Sequence, residues 1–242
     1  MPFTFAHPAI ILPLTLLPKK WFSITGLVIG SLTPDFEYFL RMEVRSRYSH
    51  TIGGLFWFDL PMGIILAFIF HNIVRNVLFD NLPDFLRSRV NRFQKFDWNF
   101  FFKRNWPIAF ISILVGAASH LLWDACTHEG GYFVERIPFL KETAMLFNRQ
   151  VPVLKIAQHL STLLGGLAIV AVLFKLPKNE EHPVQPKSKY WSVFFTSCFA
   201  IVVIRMCFGL SYTQYGAVVV TTISAILISL TLTSWLIQMK KN

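Results

Sequence analysis

The residues best suited to chemistry are His120 and Asp124, in the run His120-Leu121-Leu122-Trp123-Asp124. A step of four residues is just over one helical turn, so a helix puts this imidazole and carboxylate on one face. His128 follows after another such step, ahead of the helix-stopping pair Gly130-Gly131. If the helix continues that far, the three form one stripe of imidazole nitrogen and carboxylate oxygen, a donor set that suits zinc. The plainer alternative is a His–Asp hydrogen bond that serves helix packing, and in a soluble helix it would be favoured. Inside an apolar span the ligand reading takes precedence, because ionisable groups are costly there and mark function by default.

His7, Asp35, His50, Asp59 and His159 are the other candidates, and each has an ordinary explanation. Thr33-Pro34-Asp35 reads as a helix start, with proline in the first turn and an acid favoured by the dipole. Asp59, just before Leu60-Pro61, could cap a helix. His50, in Ser49-His50-Thr51, could be an exposed loop residue. His159 could pack within its helix, bonded through Gln158 or Ser161, and His7 could lie at a membrane interface.

The elements that must position these residues are membrane helices. The chain of 242 residues is 54% hydrophobic and only 15% charged, against about 25% charged in a typical soluble domain. Apolar stretches recur at Leu60–Phe79, Trp106–Cys126, Val153–Leu176, Trp191–Leu210 and Ala217–Ile237. Each is long enough to cross a hydrocarbon core of about 30 Å. Phe5–Leu17 and Trp21–Leu32 are too short to span alone and are split by Pro18-Lys19-Lys20, so they read as half-helices, a re-entrant pair or tilted helices. The expected fold is all-α and polytopic, with about five long spans and one or two short N-terminal helices. Residues 1–176 would form a membrane domain carrying the His/Asp set, 177–189 a linker, and 190–242 two C-terminal transmembrane helices. No cleavage motif suggests a removable leader. Cys126, Cys198 and Cys207 fit neither a zinc finger nor a disulfide framework and read as packing residues.

The formal charge of +10 could suggest nucleic acid, but the basic residues sit largely in loops, which membrane topology explains better. Arg75–Arg104, Lys175–Lys189 and the terminal Lys240-Lys241 are basic and expected on the cytoplasmic side; His128–Gln150 and Ser211–Gly216 are expected outside. The charged, aromatic stretch Asp80–Lys103 reads as an interfacial amphipathic segment. With that topology His7, Asp35, His50, Asp59, His120, Asp124, His128 and His159 converge on one depth towards the outer face. His71 and His182 fall outside the set. Arg41, Arg45 and Arg47 go against the positive-inside bias. They read either as solvated loop charges or as a phosphate site, since arginine binds phosphate with two parallel hydrogen bonds.

The chemistry this suggests is metal-assisted hydrolysis of a lipid-borne ester. Two divalent ions, or three, could be satisfied by the His and Asp residues, and such ions activate water and polarise a phosphoryl oxygen. The rival class is non-enzymatic: a transporter or ion-binding protein whose translocation path the same residues line, or an assembly factor in which they serve packing. A transporter needs polar groups continuing towards the cytoplasm, and beyond His71 and Asn72 the spans offer few.

The opening Met1-Pro2-Phe3-Thr4-Phe5-Ala6-His7-Pro8-Ala9, then Gly30-Ser31-Leu32-Thr33-Pro34-Asp35-Phe36-Glu37-Tyr38, Ser49-His50-Thr51 and His120–Asp124, resemble the DUF4184 family of bacterial membrane proteins. The same order of features is similar to a broader group of inner-membrane proteins described as metal-dependent hydrolases. His-x-x-x-Asp also resembles the helical zinc phospholipase C and single-strand nuclease proteins, although their companion His-x-x-x-Glu is absent here. What the resemblance implies is a metal-dependent hydrolase in a bacterial inner membrane; the loop charges turn its site outwards, and the donor types put zinc first among the divalent metals. His7, Asp35, His50, His120, Asp124 and His128 would be metal ligands, Asp59 and His159 catalytic proton-transfer groups, and Arg41, Arg45 and Arg47 the substrate's phosphate site. Membrane lipids are the expected partners, one of them the substrate; nucleic acid is not expected.

Overall fold

The computed structural model describes residues 3–18, 20–179 and 188–240. Lys19, His182, Lys187, Lys241 and most of the expected linker lie outside these residues. The chain is a helical membrane protein, with five helices long and apolar enough to cross a bilayer. In chain order, α1 (Thr4–Leu16) alternates 3-10 and α turns, and α2 (Ile24–Gly30) and α3 (Phe36–Arg41) are short. The first span is α4 (Ile52–Asn81). After α5 (Asp84–Val90) comes the second, α6 (Trp98–Asp124). Short helices α7 (Tyr132–Arg136) and α8 (Pro138–Lys141) lead into strands β1 (Thr143–Leu146) and β2 (Arg149–Pro152). The last three spans are α9 (Val153–Lys175), α10 (Ser188–Cys207) and α11 (Tyr215–Met239).

Two spans start well before their apolar runs. The Thr51 hydroxyl accepts from Gly54 N at 2.9 Å and caps α4, so the helix is already underway at Ile52. Asp59 therefore lies two turns inside α4, at the end of the π-turn Leu55–Asp59, and does not cap it. Asp97 accepts from Phe100 N at 2.9 Å and starts α6 at Trp98. The expected amphipathic surface stretch is thus the end of α4, all of α5 and the start of α6, with Trp98, Arg87 and Arg89 buried. Pro107 cannot donate to its helix and crowds the preceding turn. The helix kinks at Asn105 (φ −131°, ψ 31°), whose side chain bonds Phe101 O at 3.2 Å. The small hairpin β1–β2, paired Leu146 to Arg149, is an addition to the all-α expectation; Phe147 and Asn148 turn it with positive φ of 48° and 59°.

By contacts the chain forms two compact units. The first comprises Met1–Asp35, Tyr48–Ile64 and Trp106–Leu173. Its helices meet through small residues, as in other membrane bundles where little else drives close approach. A Cβ on Gly30 would collide with the backbone of Ile113, and one on Gly116 with Leu27 O and, at 2.7 Å, Ser31 N. Ser23 N donates to Ser112 Oγ at 2.8 Å, fixing the start of α2 on α6. Gly165 of α9 faces Ala6 of α1, and Phe3 N donates to Thr162 Oγ1 at 3.0 Å.

The second unit comprises Phe36–Arg47, Ile65–Asn105 and Phe174–Asn242. Here α11 buries Thr221, Ser224, Ser229, Thr233 and Ser234, and Ser224 Oγ donates to Phe39 O at 2.8 Å. His71 belongs to this unit. Its ring stacks on Trp98 at 5.1 Å, and its Nδ1 lies 2.7 Å from the Arg75 guanidinium, which also donates to Phe96 O and Gln94 O. That network makes His71 a packing residue of the α4–α6 connection.

A buried histidine–aspartate cluster

Four segments of the first unit carry the cluster. His7 sits in α1 just before Pro8, and Asp35 ends the 3-10 turn Thr33–Asp35. His50 precedes the capped start of α4, while His120 and Asp124 share the last turn of α6. His7, Asp35 and His120 are wholly inaccessible and Asp124 nearly so; the His50 side chain is 21% exposed and that of His128 31%. His50 and His128 are thus the members of the set that reach the surface.

Each imidazole at the centre is turned inward by what its Nδ1 meets. His120 Nδ1 is 2.8 Å from Ser31 O, an oxygen that can only accept, so Nδ1 carries a proton and a neutral ring would offer its lone pair at Nε2. His50 Nδ1 lies 3.1 Å from Ser49 Oγ. Between the two Nε2 atoms stand two carboxylate oxygens. His50 Nε2 is 3.5 Å from both Asp35 Oδ1 and Asp124 Oδ2. His120 Nε2 is 3.6 Å from Asp35 Oδ1 and 3.4 Å from Asp124 Oδ2. Nitrogen and oxygen alternate around this ring of four. Thr4 Oγ1 donates to the other oxygen, Asp35 Oδ2.

Such separations are long for hydrogen bonds, which prefer roughly 2.7–3.2 Å. Asp35 Oδ1, His120 Nε2 and both Asp124 carboxylate oxygens have no hydrogen-bond partner among the described residues, and neither has either ring nitrogen of His7. Leaving one such buried atom unsatisfied costs on the order of 1–3 kcal/mol, so a convergent set calls for an occupant. These four edges of 3.4–3.6 Å bring the donors near enough for small shifts to draw them onto one ion, since zinc binds nitrogen and oxygen at about 2.0–2.2 Å. Two groups, His7/Asp35/His120 and His50/His120/Asp124, each bring three ligand atoms within 4.8 Å of one another.

The electrostatics outside the spans fit a charged centre. Burial pushes Asp35 up, but the facing His120 and His50, with Thr4, outweigh it and hold the carboxyl below the usual range. Burial likewise lowers His50, and the carboxylates of Asp124 and Asp35 overturn this and raise it. His128 is lowered by burial. Its Nδ1 lies 3.1 Å from Asp124 O and 3.4 Å from Asp124 Oδ1, so it flanks the cluster rather than closing it.

Of the expected site residues, His7, Asp35, His50, His120 and Asp124 meet, with His128 beside them. Asp59 is buried on the π-turn that packs against Thr33–Asp35. His159 is exposed on α9 and is neither packed within its helix nor part of the cluster. Arg41 ends α3 and Arg45 and Arg47 lie in the loop after it, in the second unit, around Glu37. This buried carboxylate accepts from Arg41 Nε at 3.0 Å, Ser46 Oγ at 3.1 Å and Arg47 N at 3.0 Å. Glu37 was not anticipated, although its i, i+4 spacing to Arg41 was a signal. Also missed were Thr4, the Ser31 carbonyl and the small-residue step Gly26-x-x-x-Gly30, a pattern that announces close helix approach.

A family model described as a domain of unknown function (DUF4184) matches residues 1–236. No curated protein and no solved structure matches the chain.

Proposed function

The chain belongs to the DUF4184 family, and we propose that it is a metal-dependent membrane hydrolase acting on a phosphate-containing lipid or a related ester. Its cation is divalent, zinc first, and is held by Asp35, His50, His120 and Asp124. The observation that carries the reading is the ring of alternating nitrogen and oxygen at 3.4–3.6 Å, buried and lacking other partners at Asp35 Oδ1, His120 Nε2 and Asp124 Oδ2. A bound cation supplies a Lewis acid and lowers the pKa of a bound water towards neutrality. The chain's own groups set the stage. Ser31 O fixes the His120 tautomer, Thr4 orients Asp35, and the partly exposed His50 and His128 mark the side from which an ester headgroup enters. Hydrolysis adds water across the ester, its hydroxyl to the phosphorus or acyl carbon and its proton to the departing alkoxide.

Arg45 and Arg47 precede His50 closely in the chain and are the candidates for holding a phosphate; Arg41 is committed to Glu37 at 2.9 Å. The loop charges favour a cluster facing outwards; a bacterial plasma membrane is part of the proposal. A non-catalytic ion-binding protein is the second reading, favoured by the burial of the four-residue set. The deciding experiment measures metal content and lipid hydrolysis on protein purified in detergent. Wild type should carry a divalent cation and release a headgroup or phosphate from mixed phospholipid micelles, while His120→Ala and Asp124→Ala should do neither. A folded wild type that binds no divalent cation removes both readings; metal without hydrolysis across lipid classes leaves the ion-binding one.

A further inference from the structure

Four protein ligands complete a tetrahedron and leave no position for water, which is the mark of a closed, structural ion; catalytic zinc sites keep one position open. The ring of Asp35, His50, His120 and Asp124 offers four protein atoms to one ion, and a neighbouring position with fewer protein atoms would leave more room for water.

His7 supplies the lead. Its ring lies parallel to that of His120, centroids 3.6 Å apart and planes 10° apart. An imidazole binds a cation in the plane of its ring, along the lone pair, at about 2.0–2.1 Å. An ion in the His120 plane is displaced from the His7 plane by most of that 3.6 Å spacing. One ion cannot accept both lone pairs, so His7 does not complete the His120 site. Yet His7 is wholly buried, and neither ring nitrogen has a hydrogen-bond partner among the described residues. Its Nε2 lies 3.7 Å from Asp124 Oδ1, the oxygen that the four-atom ring does not use. His7 and Asp35 also hold ligand atoms within 4.8 Å of each other.

From the stacked rings and the unused oxygen of Asp124 we infer a second divalent-cation position beside the first, held by His7 Nε2 and Asp124 Oδ1 with the Asp35 carboxylate in reach. Asp124 then bridges two ions, one through each oxygen, as carboxylates do in two-metal hydrolases. This position has few protein ligands, so water and a substrate oxygen would fill the remainder. The inference rests on the metal-dependent reading above, and it adds a division of labour: an ion richer in protein ligands that ties the segment after α2 and the start of α4 to α6, and a second, more open one beside it.

Equilibrium titration of metal-stripped protein with zinc against a competing chelator tests it, with cobalt(II) absorption as a second readout. Wild type should take up two ions per chain. The first should give the intense visible bands of tetrahedral cobalt, the second weaker bands of higher coordination. His7→Gln should take up one ion and keep the tetrahedral bands. Uptake of a single ion by wild type, or of two by His7→Gln, overturns the second position and leaves the hydrolase reading standing; uptake of none removes that reading as well. The wild-type stoichiometry and two-step spectrum decide the matter even where the variant does not fold.

Discussion

Replacing Gly116 by alanine probes whether helix packing sets the imidazole of His120. The added Cβ would sit 2.7 Å from Ser31 N and 3.0 Å from Gly30 C, and closer still to Leu27 O. These are backbone atoms of the α2 end, so no side chain can swing away. The end of α2 must retreat by roughly 0.8 Å or more to regain contact near 3.5 Å. Ser31 O moves with it, and the 2.8 Å contact to His120 Nδ1 stretches to about 3.6 Å, beyond a working hydrogen bond. Overpacking of this kind costs about 1–3 kcal/mol of stability. Loss of an outer bond to a metal-binding histidine lowers metal affinity by about 10–100-fold. Zinc affinity, from chelator competition in detergent, and thermal unfolding of the same samples measure the two effects. Gly166→Ala is the control: its Cβ meets nothing within 4 Å, and alanine there should be neutral or stabilise by up to about 1 kcal/mol. If Gly116→Ala binds zinc within about twofold of wild type while Gly166→Ala behaves as stated, the packing argument is wrong, because the expected loss is at least about tenfold.

Other outcomes follow from single residues. Burial lowers His50, but Asp124 and Asp35 raise it above its ordinary 6.5 in the metal-free protein. A cation must displace that proton, so apparent zinc affinity should fall by about tenfold per pH unit below the raised value. Asp35→Asn should weaken binding overall and move the onset of the fall to lower pH; an unchanged onset across a pH 5–8 titration, roughly the range of histidine switches, would contradict this. Glu37→Gln keeps one acceptor but places an amide donor among the Arg41, Ser46 and Arg47 donors. A loss of about 1–3 kcal/mol should appear in denaturant unfolding, and no loss would show that the loop does not depend on this carboxylate. His159→Ala removes an exposed side chain and should leave zinc stoichiometry unchanged and stability within about 0.5 kcal/mol; a change in stoichiometry would bring His159 back into the site.

The amino-acid sequence by itself determined the membrane class and the five spans, because length and hydropathy are local properties that a bilayer reads directly. It also determined that His120 and Asp124 share a face, since helical periodicity is equally local. Helix starts were less legible: a capping hydroxyl at Thr51 and a carboxylate at Asp97 extend α4 and α6 beyond their apolar runs. Asp59 thereby moved from a cap to the helix interior. Tertiary structure alone decided which of the candidate residues meet. The approach of α2 to α6 depends on Gly26, Gly30 and Gly116, where a single Cβ would strike backbone. That approach brings Ser31 O to His120, and Asp35 follows α2 a few residues on. The same folding stacks His7 on His120 and leaves His159 exposed on α9. Distances of a few ångströms between residues more than a hundred positions apart arise from packing against other helices, and no period within one helix encodes them.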